Sequence, residues 1–276
     1  MPIFPARILL TALLAAGLLA ASPAAHAGAP LRVLFVGNSM TYVNDLPRLL
    51  RAFAASQPGG TTIVTSAWVA PGGSIDERWR DGHAAQALRT GDWDVVVLQE
   101  RSKLIACLSG ASMPRERECR ASDGAHRKFA ALAAEHGTRV LLLSTWAGDA
   151  DGQAALDRGM HNLADRLTGE VAIVPTGAIL RQWADRQPAD APAFPDGGHP
   201  SFSASLIVAA ILYQSITGNT PVAGELVVDF PLLVPRSPIS ASKPLEAHAD
   251  LPAHGQPFRL AADAVAPFLE VAAARD

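Results

Sequence analysis

What most constrains the fold of this chain is a series of short apolar segments set apart by stretches with helical spacing. Leu31–Val36, Thr61–Val69, Asp94–Gln99, Arg139–Ser144 and Val171–Pro175 read as strands. Between them, residues 45–56 place Leu46, Leu49, Leu50 and Phe53 on one helical face, and residues 76–89, 123–136 and 152–168 continue the alternation. Strands that are apolar throughout, each followed by a helix, belong in a parallel sheet covered on both faces. The expected fold is therefore α/β, a single doubly wound domain with a five-stranded parallel sheet flanked by helices. Residues 203–217 read as a largely buried helix and 259–273 as a closing helix. The Pro-rich segment 219–257, with one strand-like piece at Leu226–Phe230, is expected to be an irregular excursion on the same domain.

The first residues read differently. Arg7 precedes an apolar, Ala-rich run over residues 8–21, which is short for a bilayer span. Ala25-His26-Ala27 then offers a small-x-small cleavage site before Gly28. Residues 1–27 are expected to be a signal peptide, leaving 28–276 as an exported, periplasmic or extracellular domain with no stable membrane insertion. In an oxidising compartment a pair of cysteines tends to bridge, so Cys107 and Cys119 are expected to form a disulfide. The formal net charge is −3 and Lys and Arg are not clustered, which argues against a nucleic-acid partner.

Ligands of a doubly wound sheet bind outside the carboxyl ends of its strands, so those ends are where chemistry is sought. The first delivers Gly37-Asn38-Ser39-Met40-Thr41. A serine on a sharp turn before a helix can expose its hydroxyl for attack on a carbonyl, although such a serine more often only caps the helix. The second delivers Pro71-Gly72-Gly73-Ser74, where glycine could bring a backbone N–H to a ligand or simply make a turn. The third delivers Gln99-Glu100-Arg101-Ser102, and an amide ending an apolar strand needs partners. Late in the chain comes Asp196-Gly197-Gly198-His199-Pro200. There an Asp three residues before a His can supply the acceptor that fixes the imidazole tautomer. Asp149 and Asp151 compete with it less well. Trp146, after the fourth strand, could line a substrate site or simply pack. His83, His126, His136 and His161 fall on expected helices without metal-ligand spacing, and His248 and His254 are expected to be solvated.

Taken in order, these blocks resemble the SGNH/GDSL hydrolase superfamily over roughly residues 31–217. Gly37-Asn38-Ser39 is similar to its first block with Asn in place of the commoner Asp, Gly72 to its second-block glycine, and Asp196-Gly197-Gly198-His199-Pro200 to its fifth. The third block departs: the usual Gly-x-Asn-Asp loop is replaced by Leu98-Gln99-Glu100-Arg101-Ser102, as in a subset with Gln at the strand end. The resemblance implies a three-layer, flavodoxin-like fold and a Ser39–His199–Asp196 triad. It also implies an oxyanion hole built from the Ser39 and Gly72 N–H groups and the Gln99 amide, with no metal or organic cofactor. It further implies a secreted or periplasmic esterase acting on a small-molecule or glycan ester, such as an O-acetylated carbohydrate, or on a lipid-type ester. Two alternatives stand beside it: an O-acyltransferase, and a glycan-binding or structural module on a decayed scaffold. The presence of Ser39, Asp196 and His199 together argues against the last.

Overall fold

The computed structural model describes residues 29–112 and 114–274. The expected signal peptide lies outside the described residues. From the start of that range the chain runs β1 (Leu31–Gly37), α1 (Ser39–Tyr42), α2 (Leu46–Ala55), β2 (Ile63–Val69), α3 (Ile75–Arg80), α4 (His83–Thr90) and β3 (Val95–Leu98). It continues through α5 (Ser102–Ala106), α6 (Arg117–Glu135), β4 (Arg139–Leu143), α7 (Ala150–Ala164), β5 (Val171–Val174), α8 (Thr176–Ala184) and α9 (Phe202–Thr217). Four short strands follow, β6 (Leu226–Val228), β7 (Leu232–Leu233), β8 (Ala253–His254) and β9 (Phe258–Leu260), before α10 (Ala262–Ala273).

The main sheet has five parallel strands in the order β2-β1-β3-β4-β5. Alternate residues of each strand serve opposite faces, which is why the strands read as continuously apolar. Val33 and Phe35 of β1 pack with Val95 and Val97 of β3 into one cluster that includes α2 and α9. Leu34 and Val36 pack with Val96 and Leu98 into the other, with Ala84, Leu88, Phe129 and Leu156 from α4, α6 and α7. Helix α9 is buried on nearly every side, capped by Ser201 at its start and by Gly218 (φ 75°) at its end. The order reverses at β1, which lies between β2 and β3, so the crevice of the fold opens outside the ends of β1 and β3.

Several boundaries differ from the sequence reading. The stretch 76–89 is two helices, because Gly82 adopts φ 79° and ends the first. Helix α6 begins at Arg117 instead of 123, so Cys119 sits in its first turn. The excursion is more ordered than expected. β6 pairs with β9 and β7 with β8, both antiparallel, and Leu226, Leu232, Leu233, Ile239 and Leu245 join the α2–α9 cluster. It is also tied to α2 and to the sheet edge: Gln57 Oε1, just past α2, accepts from Val222 N–H at 2.7 Å, and Glu246 Oε2 accepts from Ala67 N–H of β2 at 3.3 Å. Because Phe258–Leu260 is the partner strand of β6, the closing helix starts only at Ala262.

Candidate active site

The first turn is built by short polar contacts. A Cβ on Gly37 would sit 2.6 Å from Thr41 Oγ1 and 2.9 Å from Gln99 Oε1, so only glycine fits there. Asn38 is the N-cap of α1: its Oδ1 accepts from Met40 N–H at 3.1 Å. Its Nδ2 donates to Gly73 O at 3.0 Å, joining the first turn to the glycine loop. Ser39 is the first residue of α1, and its N–H therefore has no intrahelical acceptor. Beyond α1 the chain bends through Asn44 (φ 58°), whose Nδ2 donates to Pro200 O and to Ser205 Oγ, both at 2.9 Å. Asn44 thus fastens the serine-bearing segment to the residue that follows His199. The sequence reading missed it, although Asn is among the few side chains that tolerate the left-handed region.

The late loop supplies the rest. His199 Nε2 lies 2.8 Å from Ser39 Oγ, and His199 Nδ1 lies 2.7 Å from Asp196 Oδ2. A carboxylate only accepts, so Asp196 fixes the ring proton on Nδ1 and leaves Nε2 to accept from the Ser39 hydroxyl. Asp196 Oδ1 also accepts from His199 N–H at 2.7 Å and Gly198 N–H at 3.1 Å. Partial burial acts upward on the Asp196 pKa, but the His199 N–H, the His199 ring and the Gly198 N–H outweigh it and bring it down to about 2. Trp146 Nε1–H donates to Gly198 O at 2.7 Å, and its ring stacks on Phe194 with centroids 5.0 Å apart. A cleft of about 320 Å³ opens beside this loop, lined among others by Met40, Trp146, Arg181, Phe194 and Gly198.

Gly72 holds φ +62°, a conformation that calls for glycine, while the space around it is open. The turn hydrogen bond runs from Gly73 N–H to Ala70 O at 3.1 Å and leaves the Gly72 N–H unused by the turn. Gln99 is held at both ends of its amide. Its Oε1 accepts from Asn38 N–H at 3.1 Å and Thr41 Oγ1–H at 3.0 Å, and its Nε2 donates to Glu100 O at 2.7 Å. The Asn38 N–H demands an oxygen, which fixes the orientation of the amide. Gln99 is 1% exposed, and its Oε1 ties the Ser39 turn to the end of β3.

Of the other residues singled out, Cys107 and Cys119 are joined, linking the end of α5 to the first turn of α6. Asp149 is the N-cap of α7, accepting from Gly152 N–H, and so does not compete for His199. His126 is buried, its Nδ1 2.8 Å from Ser122 O, and burial lowers its pKa to about 4. His136 caps the end of α6. His248 is half-buried and accepts from Ser240 N–H at 2.9 Å, so it is not merely solvated. No group of three or more His, Cys, Asp or Glu able to hold a metal occurs among the described residues.

No family model matches the chain, and no curated protein matches it either. Solved structures do. An α/β hydrolase enzyme from the metagenome of Lake Arreo, Spain, superposes with a TM-score of 0.53 at 13% identity, over 68% of this chain and 95% of that one. Axe2, an acetylxylan esterase from Geobacillus stearothermophilus, gives 0.52 at 15% identity over 69% and 96%. A gut microbial diltiazem-metabolizing enzyme gives 0.51 at 16% identity, over 68% of this chain and 47% of its own. At these identities the likeness establishes the fold: a three-layer α/β architecture shared with hydrolases.

Proposed function

We propose that this chain is an exported serine esterase that hydrolyses a carboxylic ester. The observation that carries the reading is the unbroken line from Asp196 through His199 to Ser39, with both hydrogen bonds at 2.7–2.8 Å. His199 Nε2 takes the Ser39 proton as Oγ attacks the ester carbonyl. The Ser39 and Gly72 N–H groups hold the resulting oxyanion, and Asp196 stabilises the imidazolium. Collapse breaks the bond to the alkoxy oxygen, which leaves as the alcohol with the proton from His199. Water then gives a proton to His199 and attacks the acyl-Ser39 carbonyl. The proton returns to Ser39 as the free acid departs. None of these steps draws on a cofactor.

The aromatic and aliphatic cleft beside Met40 and Phe194 suits the ring of an acylated sugar or a short acyl chain. The acetylxylan esterase among the structural neighbours supports an ester substrate, and the order of charged, apolar and small residues over 7–27 supports export. The reading is tested with p-nitrophenyl acetate, wild type beside Ser39→Ala. Turnover that vanishes with the hydroxyl is expected, and a Ser39→Ala protein that keeps most of its activity overturns the proposal.

A further inference from the structure

Two residues past β3 are buried where nothing in the hydrolytic cycle uses them. Gln99 and Glu100 are each 1% exposed, at the point where the crevice between β1 and β3 opens. Gln99 brackets Ser39: it takes the N–H of the residue before it and the hydroxyl of Thr41, two residues after it. Glu100 reaches the other way. Its Oε2 accepts from Ile75 N–H at 3.1 Å and Ser122 Oγ–H at 2.8 Å, and its Oε1 from Arg101 N–H at 2.7 Å.

Resting on the serine-esterase reading, we infer that Gln99 and Glu100 are positioning residues, a paired clamp in which Gln99 holds the Ser39 turn and Glu100 holds the Gly72 turn. Each turn carries one of the two N–H groups assigned to the oxyanion. Asn38 Nδ2–Gly73 O closes the ring from the front, so the turns are fixed to each other as well as to β3. Ile75 is the first residue of α3. The Ser74 hydroxyl already serves the Glu77 N–H, which leaves the Ile75 N–H in need of another acceptor. A carboxyl in this place loses its hydration, a cost an apolar side chain would not carry. What it supplies in return is two oxygens at a fixed separation, one for the glycine turn and one for the backbone of its own strand end. The Ser122 hydroxyl can accept as well as donate, so either protonation state of Glu100 keeps the Ile75 and Arg101 contacts. The departure of this strand end from the Asn-bearing loop of the superfamily thereby acquires a physical role: it orients donors and is not one itself.

The test compares Glu100→Ala, Glu100→Gln and Ser122→Ala on p-nitrophenyl acetate, with Ser39→Ala from the same preparation. Glutamine keeps the volume but has one NH₂ end, so it can serve only one of the Ile75 and Arg101 N–H groups. A displaced donor is expected to lower kcat about 10- to 100-fold for Glu100→Ala and less for Glu100→Gln, with KM within about threefold of wild type. Ser122→Ala removes a contact that does not touch either turn and should lower Tm while leaving kcat unchanged. Folded Glu100→Gln with wild-type kcat overturns the clamp, as does Ser122→Ala losing as much kcat as Glu100→Gln. If Glu100→Ala does not fold, the Gln and Ser122 variants decide. Activity surviving in Ser39→Ala would instead defeat the esterase reading, which keeps the two failures apart.

Discussion

Asp196 and Glu100 are the two carboxyls that hold this site in place, and each accepts three hydrogen bonds. Their acidities nevertheless move in opposite directions. Asp196 sits on an exposed loop, its side chain 48% accessible, and its partners bring its pKa down to about 2. Glu100 is buried just past the end of β3, and desolvation pushes it up to about 7 against its Arg101, Ser122 and Ile75 partners. Hydrogen bonding alone therefore does not set the charge of a carboxyl here; access to water does. The exposed carboxylate can stay ionised beside an imidazole that changes charge in the proposed mechanism. The buried one is suited to holding backbone in place.

The comparison is broken most directly on the exposed side. Ser39→Ala and His199→Ala are expected to lower kcat by on the order of 10⁴–10⁶-fold, because each removes a member of a unit that acts together. Asp196→Asn should cost less than either, since nucleophile and base remain and only orientation and imidazolium stabilisation are lost. Steady-state kinetics on three folded variants measure this order. Were Asp196→Asn harmless, Asp196 would be reduced to a turn residue.

On the buried side, Gln99→Ala separates donation from support. An oxyanion donor would lose kcat with little change in stability. The observed partners predict both losses together: about 10-fold in kcat from a displaced turn, and roughly 1–3 kcal/mol because the Asn38 N–H loses its buried acceptor. One preparation measured for Tm and kcat distinguishes the two.

The pH dependence of stability sharpens the contrast. The Glu100 pKa is raised from 4.5 in the unfolded chain to about 7 in the fold. Its contribution is thus fully present below 4.5 and is lost as pH rises to about 7. For Asp196, lowered from 3.8 to about 2, the contribution is present above 3.8 and is lost as pH falls towards 2. Denaturant melts across pH should therefore show wild type losing ground to Glu100→Gln between 4.5 and 7, and losing ground to Asp196→Asn only in strong acid. A flat difference for Glu100→Gln would mean that the carboxyl is not desolvated in solution.

What the sequence disclosed follows the same division. The strands were legible because Leu34 and Val36 face one layer while Val33 and Phe35 face the other, so every position is apolar. The Asp196–His199 pair was legible because its partners are three residues apart. The contacts of Gln99 were not legible because its partners lie 58 and 61 residues away, and a side-chain type says nothing about which way its amide faces. The first turn of α6 was hidden since Arg117, Glu118 and Arg120 are charged and Glu116 provides no side-chain cap. Asn44 was invisible for a further reason, since both its acceptors belong to the late segment around Pro200 and Ser205.

Only a small effect on turnover is expected from the disulfide, which lies on the buried side of the comparison. Cys107 and Cys119 close a loop with a sequence separation of 12, and a loop of that size is restrained in the unfolded chain by about 2–3 kcal/mol. Cys119 is one turn before Ser122 in α6, so the bridge also fixes the turn from which Ser122 approaches Glu100. The clamp contacts themselves come from Ile75 and Arg101, which the bridge does not touch. Replacing both cysteines by alanine should therefore lower Tm by roughly 5–10 °C for a chain of this size, yet leave kcat within about twofold. If kcat instead falls as far as it does in Glu100→Gln, the glycine turn is held through α6 and the covalent link. The division between an exposed chemical side and a self-sufficient buried support would then have to be redrawn around the bridge.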